Sequence, residues 1–102
     1  MNVQQIVADD ADAAGENANA KQFLTFRIGK EYFGIELEQT REILEYTGVT
    51  EVPLMPSFLS GVINLRGEMV PVIDLAVRLG RAPIQVQRRT CIIVVEIHAQ
   101  DQ

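Results

Sequence analysis

The first regular pattern of apolar positions begins at Gln22. Residues Gln22–Ile28 are rich in aromatic and β-branched side chains, with Phe26 and Ile28 on one face, and this pattern predicts a strand. Gly29–Glu31 supplies a turn and Tyr32–Ile35 a return strand, so the pair reads as a β-hairpin. Periodicity then changes. Between Glu36 and Tyr46, Leu37, Thr40 and Leu44 share a helical stripe with Ile43 beside it. Glu38 with Arg41 and Arg41 with Glu45 are favourable helical pairs, and Gly48 follows as a stop. The expectation is a short amphipathic helix that depends on tertiary packing.

Val49–Val52 predicts a short strand that Pro53 ends, and Pro53–Pro56 must run extended because each proline disfavours helix in the residue before it. Ser57–Ser60 fits a single turn. Gly61–Leu75 then reads strand, turn, strand, with Arg66–Gly67–Glu68 as the turn and Gly67 supplying a positive φ. Pro71 in the second of these strands requires an edge or a bulge. Asp74 is a good N-cap for Leu75–Leu79, and Gly80 a good residue just past its end. Arg89–Ile97 holds the most apolar run in the chain; its length and β-branching predict a buried strand. Five or six short strands with frequent turns predict a small barrel.

Charge and composition narrow the function. The chain has 102 residues with 9 basic and 14 acidic side chains, a formal net charge of -5. One domain at most fits this length. Residues 1–20 carry four of the acids (Asp9, Asp10, Asp12, Glu16) and no lysine, arginine or aromatic residue. They predict a disordered acidic leader, with a fraying helix over Gln4–Ala14 as the ordered alternative. The remainder is close to neutral, which disfavours nucleic acid as a partner and a polybasic membrane surface alike. No apolar run is long enough for membrane insertion, and no signal peptide is evident. Cys91 is the only cysteine and has no disulfide partner. With His98, the first residue of a short C-terminal tail at 98–102, it makes a poor metal site. Glu38, Glu42 and Glu45 fit a solvated face better than acid–base machinery. No phosphate-binding loop or catalytic motif is present, so an enzyme is not expected, nor a cofactor. What remains is Arg66 at the head of a hairpin, a guanidinium fork able to pair with a carboxylate.

Taken in order, Gln22–Gly29, Tyr32–Ile35, Arg41–Ile43, Val52–Pro53 with Pro56–Gly61, Val62–Gly67 and Val70–Leu75 resemble the CheW-like domain of bacterial chemotaxis adaptors. The resemblance covers about Lys21 to Ile97. It implies a mainly β fold with short helices, an SH3-like β-barrel subdomain that belongs to a tandem of strand-swapped barrels. It also implies a non-catalytic adaptor, cytoplasmic and recruited to membrane-associated receptor arrays. Such an adaptor couples the cytoplasmic tip of chemoreceptors to the regulatory domain of the histidine kinase CheA. Glu42 and Arg66 fall on acidic and basic positions that the family uses near its receptor-contacting surface, and as an ion pair they would brace the expected helix against the hairpin. Thr40 and Ile43 are carried over to the same receptor-binding surface. Gly61, Asn64 and Gly67 match the hairpin motif, where backbone geometry is the expected role.

The family domain continues well beyond the strand at Cys91–Ile97, so the chain looks like its first subdomain, with the second missing. Such a cut is expected to expose Ile92–Val95 and a strand edge, which predicts self-association through the incomplete sheet. Two other readings stay open. One is an adaptor segment of a CheV-like protein or of a pilus-motility or other non-flagellar chemosensory pathway. The other, of a different class, is a small ligand-binding β-barrel.

Overall fold

A computed structural model describes residues 2–16 and 22–97; the expected tail at 98–102, His98 included, lies outside the described residues. Eight strands among the described residues carry the fold: β1 (Asn2–Ala8), β2 (Asp10–Glu16), β3 (Gln22–Ile28), β4 (Glu31–Glu36), β5 (Thr40–Glu45), β6 (Leu59–Leu65), β7 (Glu68–Asp74) and β8 (Cys91–Ile97). Among the described residues a single 3-10 turn, Leu37–Gln39, leads into β5, and one short helix, α1 (Leu75–Arg78), follows β7. The strands form a five-stranded sheet in the order β5-β8-β1-β7-β6 and a three-stranded sheet in the order β2-β3-β4.

The five-stranded sheet curls into an open barrel. Its edge strands are β5 and β6, yet Leu44 of β5 and Ile63 of β6 pack on one buried cluster of Val7, Val72 and Ile92. A flat sheet of this order would hold those side chains with three strands between them. The second core lies between the sheets, where Leu24, Phe26 and Ile28 of β3 meet Ala8, Cys91, Ile93 and Val95. Phe26 also stacks on Phe33 of β4, ring centroids 5.6 Å apart. Because Ile92 faces one core and Ile93 the other, β8 is buried on both sides. This explains why its sequence is a continuous apolar run instead of an alternation.

Two expectations are corrected here. Residues 2–16, expected as a disordered acidic leader, form β1 and β2. β1 occupies the middle of the sheet, antiparallel to β8 from Asn2↔Ile97 to Ala8↔Cys91 and parallel to β7 from Gln5↔Val72 to Val7↔Asp74. The physical reason is that β8 needs a neighbour on each edge, and Val7 and Ala8 complete the two cores. Asp9 ends β1 in a fixed corner. Its backbone N–H donates to the Arg27 carbonyl at 2.9 Å, and its carboxylate accepts the Gly29 N–H at 2.6 Å. The leader therefore takes the edge whose exposure was to drive self-association. Ile92, Ile93, Val94 and Val95 are buried, with β1 on one side of β8 and β5 on the other.

The second correction concerns the expected helix over 36–46, which is a 3-10 turn followed by β5. Thr40–Glu45 alternates half-buried and exposed positions, the period of a strand, and pairs with β8 from Thr40↔Val95 to Glu45↔Cys91. Sheet pairing with the most apolar strand outweighs the helical preference of Glu and Leu. The expected strand at Val49–Val52 reduces to one bridge, Thr50↔Val62. Pro71 sits opposite Val62, whose N–H and carbonyl both bond Thr50, so the missing N–H of Pro71 faces β1, where pairing begins only at Val72. The Asp74 cap is present: its carboxylate accepts the Ala76 N–H at 3.1 Å and the Ile84 N–H at 3.1 Å.

Candidate functional site

The hairpin of β6 and β7 turns at Arg66 and Gly67, with φ of 53° and 88°. Two consecutive positive φ values define a mirror-image turn that matches the right-handed twist of the strands. The Asn64 side chain accepts the Gly67 N–H at 2.9 Å and pins the turn. Asn64 and Gly67 therefore act on backbone geometry. So does Gly61, which lies at a register shift of β6 and packs its α-carbon against the Thr50 carbonyl.

That hairpin tip projects across the open end of the barrel to β5. Arg66 Nη2 lies 2.8 Å from Glu42 Oε1. The pair joins the two edges of the five-stranded sheet, so the bracing expected between a helix and the hairpin is made by a strand instead. Glu42 stands opposite Val94 of β8, and the pair overhangs a cavity of about 380 Å³ lined by Val3, Gln5, Glu42, Arg66, Val70 and Val94. Gln5 is buried there. The Glu42 side chain is 27% exposed and the Arg66 side chain 71%. Most of the guanidinium fork thus remains open to a second carboxylate.

The structure does not bring Thr40 and Ile43 to the same place. Antiparallel partners share a sheet face, and Ile43 stands opposite Ile93, Thr40 opposite Val95, on the side away from Glu42. The register shifts between Thr40 and Glu42, which turns one from the other. Ile43 is 44% exposed at the sheet edge, whereas the Thr40 hydroxyl is buried with no hydrogen-bond partner. Glu42 and Arg66 thus form one site, and Ile43 lies apart from it on the other face of β5.

Comparison with known proteins identifies the family. A profile of the CheW-like domain matches residues 22–102. The chain belongs to the CheW-like family. It is 41% identical over 81 residues to a probable chemotaxis protein CheW of Rhizobium etli, covering 79% of this chain and 52% of that protein. With the chemotaxis protein CheW of Klebsiella aerogenes it shares 39% identity over 82 residues, 80% of this chain and 49% of the other. The solved scaffolding protein TtCheW of Thermoanaerobacter tengcongensis superposes with a TM-score of 0.68 at 34% identity, over 74% of this chain and 52% of that one. The chain spans about half the length of the relatives it matches. The CheW-like match begins at Gln22, so β1 and β2 precede it.

Sequence reasoning missed Gln5 and Asp9. Val3, Ile6 and Val7 were the available signal, but three apolar positions among amides and acids are too sparse to read as a central strand. Among the described residues no helix is long and apolar enough to cross a membrane.

Cys91 takes no part in this site. It is buried beneath β2 and β3, and burial pushes its thiol above the ordinary value of 9.0; the Asp10 carboxylate adds to the rise, Arg89 opposes it, and Asp9 adds a further increment. A thiol reagent at neutral pH is expected to modify the native chain slowly and the urea-unfolded chain fully, because the thiolate is the reactive form. The unfolded chain ionises first, so this group's contribution to stability is complete below about pH 9 and is lost as pH rises past it. Equal labelling rates with and without urea would contradict the burial.

Proposed function

We propose that the chain is a non-catalytic adaptor of bacterial chemotaxis signalling. It acts in the cytoplasm, where it links the tips of chemoreceptors to the regulatory domain of the histidine kinase CheA within receptor arrays. The CheW-like match over residues 22–102 carries the reading. The open end of the barrel supports it, because Arg66 is held rigidly by a pinned hairpin and keeps most of its donors exposed. In this reading Glu42 orients the guanidinium, and Arg66 receives a carboxylate of the partner. Thr40 and Ile43, on the other face of β5, lie outside this contact.

The test is recruitment of a purified receptor cytoplasmic fragment, with the kinase regulatory domain present. Arg66→Ala is expected to weaken recruitment about tenfold, the scale of one lost charge-assisted hydrogen bond. Arg66→Lys should restore only part of it, since an ammonium keeps the charge without the planar fork. The melting temperature should fall by no more than several degrees, because an exposed ion pair contributes at most about 1 kcal/mol. Recruitment unchanged in Arg66→Ala would refute the assignment.

A further inference from the structure

Leu54 carries a feature that neither folding nor the barrel-end site uses. Its side chain is fully exposed, at 103% of the reference area, and its backbone φ is 66°. Among the described residues only Arg66 shares a positive φ without being glycine, and the hairpin turn accounts for that one. Leu54 follows Pro53 in a turn whose third position demands positive φ, a place where glycine or asparagine is favoured. A leucine there lowers stability through its backbone and recovers nothing by burial.

The turn is held rigidly at its roots. Thr50 exchanges two backbone hydrogen bonds with Val62, both 2.9 Å. The Leu59 N–H donates to the Pro56 carbonyl at 3.0 Å, and the Asp74 N–H to the Phe58 carbonyl at 2.7 Å. The Arg78 guanidinium lies 4.9 Å over the Phe58 ring. Two prolines, Pro53 and Pro56, stiffen the span between. Strained backbone maintained by its surroundings is a mark of functional positions. Val52, 41% exposed, extends the apolar tip.

We propose that the Val52–Met55 turn is a protein-docking knob, in which the preorganised Leu54 side chain enters an apolar pocket on a partner protein whose rim is basic. The only charge between residues 46 and 60 is Glu51, next to the knob. A basic rim complements it, and the absence of lysine or arginine in that stretch disfavours an anionic lipid surface. Little ordering entropy is lost on docking because the turn is already fixed. The inference rests on the adaptor reading for its probes, the purified kinase regulatory domain and the receptor fragment, and it concerns a surface distinct from Arg66.

Leu54→Asn and Leu54→Asp, each in the full chain, are to be compared with the unaltered chain in titrations against each probe, with melting curves recorded in parallel. Leu54→Asn is expected to melt at or above the parent temperature, since asparagine tolerates the backbone. Affinity for one probe should fall about tenfold or more in both variants, the scale of a buried leucine lost from an interface. Glu51→Lys should weaken the same complex. Parent-like affinity of Leu54→Asp for both probes would overturn the knob and leave the adaptor reading standing. Failure of the unaltered chain to bind either probe would instead overturn the adaptor reading and this inference with it. Binding to anionic phospholipid vesicles that Leu54→Asp abolishes would overturn the choice of a protein partner.

Discussion

Val7→Asp is expected to abolish cooperative folding. Val7 is 3% exposed near the end of β1, the central strand of the sheet, opposite Ile92 of β8 and Asp74 of β7. Its cluster mates, Val72 and Ile92, are apolar. Asp74 offers no relief, because its oxygens already accept from Ala76, Val77 and Ile84. An unpaired carboxylate in such a place costs about 3–5 kcal/mol. A small domain is stable by only about 5 kcal/mol or a little more. Thermal unfolding followed by circular dichroism should lose its sigmoidal transition. Asp12→Ala is the control. Asp12 is exposed on β2, and its removal should leave the melt within about 0.5 kcal/mol of the parent. A Val7→Asp chain that melts like the parent would mean that residues 2–8 do not hold the centre of the sheet.

The same residues explain where the sequence could be read and where it could not. The β3–β4 and β6–β7 hairpins were legible because each carries its own register: glycine in the turn, apolar residues at spacing two, and a local hydrogen-bond pattern. The Asp74 cap was legible for a similar reason, since capping depends on a few adjacent residues. β1 was not legible. Its position follows from what β7 and β8 lack, a requirement written some seventy residues away, and nothing within Asn2–Ala8 marks it as central.

Thr40–Glu45 shows the opposite failure, a local signal that points the wrong way. Its charge spacing suits a helix, and its apolar positions suit either period. The deciding fact is that β8 presents a free edge of β-branched residues, which a strand satisfies and a helix cannot. The candidate site was legible in part. Glu42 and Arg66 stand out as residues, but their closeness arises from the curl of a sheet whose edge strands lie at opposite ends of the pairing order. No pattern along the chain encodes that closure directly.

Gly61→Ala should be the most damaging single-methyl change in the family-matched region. A β-carbon on Gly61 would stand 2.5 Å from the Thr50 carbonyl oxygen and 3.0 Å from both the Thr50 carbonyl carbon and Val49 Cγ2. The φ of 152° adds backbone strain for any side chain. Two of the three obstructing atoms are backbone, so a rotamer change offers no escape. Relief requires residues 49–50 to withdraw, and that breaks both hydrogen bonds between Thr50 and Val62. Overpacking, two lost bonds and an unfavourable φ together amount to about 3–5 kcal/mol. Gly67→Ala isolates the backbone part of this cost. Gly67 has a φ of 88°, and a methyl group on its α-carbon would meet nothing within 4 Å, so about 1–2 kcal/mol is expected. Urea titrations should therefore separate the two variants clearly, and equal midpoints would contradict the close approach at Thr50. The bridge that Gly61 permits also anchors the turn carrying Leu54. A Gly61→Ala chain that still folds in the cold should consequently lose partner affinity at the Leu54 knob while its Arg66–Glu42 pair, at the other end of β6, stays closed.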